Sequence, residues 1–318
     1  MPTRSLYIEA ATRDNTRRSY RAALRHYEEE WGGLLPATAD SISRYLTDHA
    51  DTLSVNTLKQ RLAALAKWHN DQGFPDPTKA PLVKTVLKGI RRLHPSVEKQ
   101  AKPLQIEQLE IVDGWLRQQA EDSENDVVMQ LRCIRDRALL LLGFWRGFRS
   151  DELCRLRIEH LKLTPGEGLT LFLPTSKGDR DNLGRTFRAP ALRALCPVEA
   201  VNTWLTLIGR TEGPMFPRID RWGRLPEVPM NPGSINKWLR ELLSKAGLPE
   251  SEQYSSHSLR RGFAGWANAN QWDVKTLMQY VGWRDVQSAL RYIDGADPFA
   301  AFRSTTSTIG IFGGDLEK

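Results

Sequence analysis

The segment HPSVEKQAKPL at 94–104 constrains this chain most: it holds two prolines, several charges and few apolar side chains. Such a stretch cannot bury a core of its own and reads as an inter-domain linker. It divides the 318 residues into 1–93 and 105–318, each long enough to build a separate core. No internal repeat or low-complexity tract interrupts either part. No run approaches the ~18 consecutive apolar residues of a membrane span, so no part is expected to cross a bilayer. The opening MPTRSLYIEAATRDNTRRSY lacks the continuous apolar core of a secretory signal, and the expectation is a reducing cytoplasm.

The first 93 residues read as all-helical. From Thr16, TRRSYRAALRHYEEEW spaces Tyr20, Leu24, Tyr27 and Trp31 at four, three and four, the apolar stripe of one helix. SISRYLTDHA predicts a second. SVNTLKQRLAALAKWHNDQG predicts a third, capped by Ser54, with Leu58, Leu62 and Leu65 facing a core and Gly73, Pro75 and Pro77 ending it. The first helix also carries Arg17, Arg21 and Arg25 every four residues, and a fourth carries Lys84, Lys88, Arg91 and Arg92 at i, i+4, i+7 and i+8. Either row alone has the pattern of a solvated face. Two of them in one small helical domain favour a nucleic-acid partner. The net charge of +7 is distributed accordingly: residues 1–100 carry 16 basic and 11 acidic side chains, residues 101–318 carry 29 and 27.

The second part opens with helices expected at about 105–120 and 126–147, and the latter contains ALLLLGFW, a run that suits a helix buried on most sides. RIEHLKL, LTLFLP and GRTFRAP then read as a three-stranded antiparallel meander with TPGEG and TSKGDRDNL as its turns, after which the chain returns to helices. The fold class is therefore mainly α: an all-helical domain, then a mostly helical one with a small antiparallel sheet. Cys133, Cys154 and Cys196 are scattered, with no C-x-x-C and no histidine at ligand spacing, and read as small core residues.

Motifs for nucleotide hydrolysis, dinucleotide binding, zincins and serine hydrolases are missing from the text. What remains is RGFRSDELCRLR, TSKGDRD, HSLRRGF, GWRD and RY, basic and hydrogen-bonding residues at expected element ends. Each has an ordinary structural reading: a solvated turn lysine, a core tryptophan, a half-buried tyrosine. In this order they resemble the tyrosine recombinase (phage integrase) family, whose pattern is an arginine, a β-turn lysine, H-x-x-R, a histidine or tryptophan, and a nucleophilic tyrosine. The matching residues are Arg149, Lys177, His257 with Arg260, Trp283 and Tyr292, with Glu152 at the family's acidic position. Trp283 stands 26 residues after His257 and nine before Tyr292, similar to Cre-like members, which also use tryptophan. Arg261 replaces a histidine that often follows the second arginine. Nearly the whole chain is covered, because the family joins a helical core-binding domain (here 1–93) by a linker to a catalytic domain (here 105–318).

The resemblance implies phosphodiester transfer without metal, ATP or other cofactor, and the residue types suit it. Charge spreads over the non-bridging oxygens as phosphorus is attacked, and Arg149 and Arg260 offer forked donors to it. His257 is expected at a helix start capped by Ser255 or Ser256, where free N–H groups favour an anion. An indole can donate a hydrogen bond but cannot carry a proton, so Trp283 leaves acid–base work to others. A phenol titrates near pH ~10, so Tyr292 must lose its proton in the attack, with His257 as acceptor. Lys177 is then the candidate acid for the departing 5′-oxygen, with His257 as competitor. Glu152 is either a supporting residue or an acid favoured by its helix dipole. Duplex DNA would be clasped between the domains, with Arg17, Arg21, Arg25, Lys84, Lys88, Arg91 and Arg92 toward phosphates and grooves.

The family further implies a nucleoid-associated homotetramer on two DNA sites that exchanges strands through a Holliday junction. Phe299, Phe302, Ile309, Ile311 and Phe312 would make an apolar tail, buried either in a neighbouring protomer or in cis. Two other readings compete: a type IB topoisomerase-like relaxing enzyme with the same nucleophile chemistry, which the helical domain disfavours, and a catalytically silent DNA-binding protein on the same fold, which the full set of candidate residues disfavours.

Overall fold

Caps and apolar stripes place the helices of the first ~90 residues. A computed structural model describes residues 12, 14–95, 100–123, 125–175 and 183–293, and the chain divides into two compact units, Met1–Lys99 and Gln100–Lys318. In the first unit the helices are α1 (Asp14–Arg25), α2 (Ala39–Asp48), α3 (Val55–Asp71) and α4 (Pro81–Leu93). Thr38 Oγ1 accepts from the Ser41 amide at the start of α2, and Ser54 Oγ accepts from the Thr57 amide at the start of α3, both at 3.1 Å. Tyr27, Ile42, Tyr45, Leu46, Leu58 and Leu65 fill the core.

The stretch expected as one helix through Trp31 departs from that reading. α1 stops at Arg25 and His26–Glu30 forms a π turn, with the Trp31 amide reaching His26 O at 3.0 Å. The wider turn sets the rings of both Tyr27 and Trp31 against Tyr45, at 5.2 and 5.3 Å between centroids. Local periodicity cannot show this, because Tyr45 belongs to α2.

The second unit is built around one long helix. Its elements are α5 (Ile106–Asp122), α6 (Val127–Arg146), α7 (Ser150–Arg155), β1 (Leu161–Thr164), β2 (Gly168–Leu173), β3 (Arg185–Pro190), α8 (Pro197–Ile208), α9 (Ile235–Lys245), α10 (Ser256–Ala269), α11 (Val274–Val281) and α12 (Val286–Ile293). Every residue from Arg137 to Phe148 is buried, as the run ALLLLGFW predicts. Arg137 sits within this helix because its guanidinium bonds Asp113 of α5 and Glu199 of α8, each at 2.7 Å, which pairs a charge that would otherwise be costly to bury. The strands run in the order β1-β2-β3, antiparallel, with Leu171 opposite both Leu161 and Phe187. Leu169, Leu171, Leu173, Phe187 and Ala189 turn into the core. Only the LKL half of RIEHLKL is strand, and the strand continues to Thr164; Ile158–His160 forms a short 3₁₀ turn instead.

The three cysteines are free and buried. Burial pushes the Cys133 thiol up to about 11 and that of Cys154 up to about 12, so both stay protonated near neutral pH. Cys196 also accepts from the Glu199 amide through Sγ at 3.4 Å and caps α8. No helix among the described residues is long and apolar enough to cross a membrane.

α10 approaches the chain just before α5 closely enough to leave no room for a methyl group. A Cβ at Gly262 would lie 1.9 Å from the Leu104 carbonyl oxygen, whereas one at Gly265 would meet nothing within 4 Å. Gly262→Ala is therefore expected to destabilise by about 1–3 kcal/mol, and Gly265→Ala to be neutral or stabilising by up to about 1 kcal/mol. Chemical denaturation of the two variants checks the contrast.

Candidate active site

The site begins where α6 ends. Gly147 takes a left-handed conformation, φ +55°, which stops the helix and turns the chain so that Arg149 becomes the N-cap residue of α7. Glu152, one turn on, accepts from the Arg149 amide with Oε2 and from Arg149 Nη1 with Oε1, each at 2.8 Å. Its side chain is 6% exposed and that of Arg149 is 29% exposed.

Arg260 reaches the same carboxylate from α10. It is fully buried, donates from Nη1 to Gly147 O at 2.7 Å, and brings that nitrogen within 3.8 Å of Glu152 Oε2. The carboxylate thus lies between two guanidiniums. Its position in the first turn of α7 also answers the helix dipole.

Ser255 caps α10, accepting from the His257 amide at 3.2 Å. His257 therefore lies in the first turn, exposed, one turn before Arg260. Ser150 donates to Ser256 at 2.7 Å and ties the start of α7 to the start of α10. The Ser256 amide is received by Asn236 Oδ1 at 2.8 Å.

Trp283 follows Gly282, the left-handed cap of α11, and is 6% exposed with its ring centroid 5.0 Å from the Arg260 guanidinium carbon. Arg149, Glu152, Arg260 and Trp283 are thereby brought together by three segments far apart in sequence. Tyr292 belongs to α12, nine residues beyond Trp283, but its side chain lies outside what the structure describes. Lys177 and the tail residues Phe299, Phe302, Ile309, Ile311 and Phe312 lie outside the described residues. No group of three or more metal-ligating side chains occurs among the described residues.

The two basic rows of the first unit differ. Arg17 pairs with Asp14, and Arg25 lies 3.5 Å from Glu29, which leaves Arg21 as the member of its row in no ion pair among the described residues. On α4, Lys84, Lys88, Arg91 and Arg92 are all exposed and in no ion pair among the described residues. Sequence reasoning missed Gly147, whose carbonyl receives Arg260, and the Ser150–Ser256 tie. A glycine two residues past the end of a long apolar run was the available signal for the first; nothing local marks the second.

A match to the phage integrase family spans residues 116–297, more than half of the chain, and the protein belongs to that family of tyrosine-type site-specific recombinases. It is 30% identical over 301 residues to an integrase/recombinase xerD homolog of Selenomonas ruminantium, covering 92% of this chain and 85% of that one. It is 24% identical over 296 residues to Recombinase cre of Escherichia phage P1, covering 88% and 82%. Among solved structures the fold is similar to XerH site-specific recombinase bound to palindromic difH substrate, with TM-score 0.62, 18% identity, 92% of this chain and 79% of that one. It is also similar to a lambda integrase dimer bound to a COC' core site, with TM-score 0.58, 16% identity, 93% and 98%.

Removing the Glu152 carboxylate would leave the buried Arg260 guanidinium without its facing negative charge. Glu152→Ala is expected to destabilise by about 3 kcal/mol, and Glu152→Gln, which keeps an acceptor for the Arg149 amide, by less. Urea denaturation of the two variants beside the parent measures the difference.

Proposed function

We propose that this recombinase cuts and rejoins duplex DNA through a 3′-phosphotyrosine at Tyr292, without metal or ATP, and exchanges strands through a Holliday junction. The observation that carries the reading is the pair of guanidiniums, Arg149 and Arg260, held by one buried carboxylate beside Trp283. Such a pair offers fixed donors to the charge that develops on the non-bridging oxygens, with little reorganisation during reaction. Arg149 is the first that a phosphate meets, because its side chain is partly exposed and Arg260 is buried.

In the cleavage step the Tyr292 oxygen bonds to phosphorus while the bond to the 5′-oxygen breaks. The phenolic proton passes to His257, and Lys177 protonates the departing 5′-oxygen. The exposed first-turn position of His257 supports its share, because it stands at the positive end of α10, where an incoming anion is favoured. The ester stores the bond energy, so the reverse attack by a 5′-hydroxyl reseals the strand. The separations around Trp283, together with the similarity to Recombinase cre, favour the Cre-like form of the site.

The partner is double-stranded DNA at two sites held by a homotetramer, with tail exchange between protomers and a nucleoid location. The free row on α4 supports phosphate contact by the first unit, and the similar XerH and lambda integrase structures are DNA-bound. Affinity should fall steeply with salt, and Lys88→Ala or Arg21→Ala should flatten the slope of log affinity against log salt. An unchanged slope in both variants would make the rows solvated faces.

Trapping the covalent adduct on DNA carrying its recombination site tests the chemistry. Tyr292→Phe is expected to keep DNA affinity and lose the adduct. With sulfur in place of the bridging 5′-oxygen, the leaving thiolate needs little protonation. Lys177→Ala should then be slow on ordinary DNA and rescued on the sulfur substrate, while Arg149→Ala stays slow on both. Rescue of His257→Ala instead would transfer the acid role to the histidine.

A further inference from the structure

Two arginines that the family pattern does not mark converge on the turn leading to Trp283. The last carbonyls of a helix have no amide partner within it and present its negative end. At the end of α11 these groups are shared out in order. Met278 O receives the amides of Gly282 and Trp283 at 2.8 and 2.9 Å, Gln279 O receives Arg185 Nη2 at 2.8 Å, and Tyr280 O receives Arg146 Nη2. Arg146 also donates from Nη1 to Arg188 O of β3 at 2.9 Å, and its guanidinium lies 3.7 Å from the centre of the Tyr280 ring. Arg185 is the first residue of β3. Through these bonds β3 and the end of α6 grip the end of α11.

Gly282 is constrained twice by this arrangement. Its φ of +87° favours glycine, and a Cβ there would lie 2.4 Å from Arg185 Nη1. The absent side chain is what lets the guanidinium lie beneath the turn. Immediately after it come Trp283, against Arg260, and then α12, which carries Tyr292. Arg185 is also electrically close to the site: burial holds its guanidinium below the usual range, Glu152 opposes that shift and Arg284 adds to it.

We propose that Arg185 is a positioning residue for strand cleavage, which fixes the α11–α12 turn and thereby the placement of Trp283 and of the helix bearing Tyr292 relative to Arg149, Glu152 and Arg260. The proposal rests on Tyr292 as nucleophile. Arg146 shares the grip, but it is buried, so its loss would be read mainly in folding. Arg185 is partly exposed and can be replaced with less cost to the fold.

The test is single-turnover adduct formation by the full chain on a nicked DNA substrate, read as a function of DNA concentration. Arg185→Met is expected to lower the rate at saturating DNA at least tenfold while the half-saturating concentration stays within twofold. Sulfur at the bridging position should not rescue it, because attack is affected and not departure. Arg185→Lys keeps one charged donor for Gln279 O and should return the rate to within about threefold of the parent. Gly282→Ala crowds the guanidinium and strains the same turn at φ +87°, and should likewise lower the rate at saturating DNA without weakening half-saturation, even if Arg185→Met folds poorly.

A parent-like rate in Arg185→Met overturns the proposal. So does a weakening of DNA half-saturation that accounts for the whole loss, which would make Arg185 a phosphate contact. Tyr292→Phe, run in parallel, separates the two ideas. If it still forms the adduct, the nucleophile assignment fails; if it does not and Arg185→Met is parent-like, the positioning role alone fails.

Discussion

The Glu152 carboxylate is what allows the Arg260 guanidinium to sit in the interior beside Arg149. A buried cation without a facing negative group costs several kcal/mol, and bringing a second one near raises that cost. Glu152 offsets both, and it does so from the first turn of α7, where the helix's own amides also favour its charge. The geometry is fixed at each end: the Arg149 amide is bonded to the same carboxylate, and Gly147 O holds Arg260 from the other side. Both guanidiniums are thereby held in place by bonds within the protein.

That arrangement depends in turn on where α6 ends. Twelve consecutive residues from Arg137 to Phe148 are buried, so the helix cannot slide along its axis without exposing apolar surface or stranding Arg137 from Asp113 and Glu199. Its terminus at Gly147 is therefore a fixed point. Arg146 reaches β3 and α11 from it, Gly147 reaches α10, and Arg149 starts α7. The close approach of Gly262 to Leu104 locks α10, and with it Arg260, against the chain entering α5. Core packing and site geometry are thus the same set of contacts viewed from two sides.

Much of this was legible beforehand, for local reasons. Ser54 and Ser255 cap helices because a side-chain oxygen two or three residues before a free amide needs no tertiary partner. The three-stranded meander shows in alternating apolar residues, since burial on one face has period two. The π turn after Arg25 does not show, because it answers the Tyr45 ring on another helix. RIEHLKL reads as one strand, yet its first half bends into a 3₁₀ turn where the Ile158 amide turns to Gly213 O. Of the site, residue types and order could be read, and the bonds between them could not. Nothing near Arg185 in sequence signals that it serves Gln279, 94 residues away.

By itself the sequence determined the helical class, the small sheet, the caps that start α3 and α10, and the residue types in the order that marks this family. These follow from interactions within a few residues or from the solvation of a repeating pattern, both of which are written along the chain. The tertiary structure alone decided that Glu152 stands between Arg149 and Arg260, that Trp283 packs on the second of them, and that Arg146 and Arg185 hold the turn before it. Three of these contacts, Glu152 with Arg260, Arg146 with Tyr280 and Arg185 with Gln279, join residues from 94 to 134 positions apart. They form because a buried guanidinium must find its acceptors wherever the packed helices bring them.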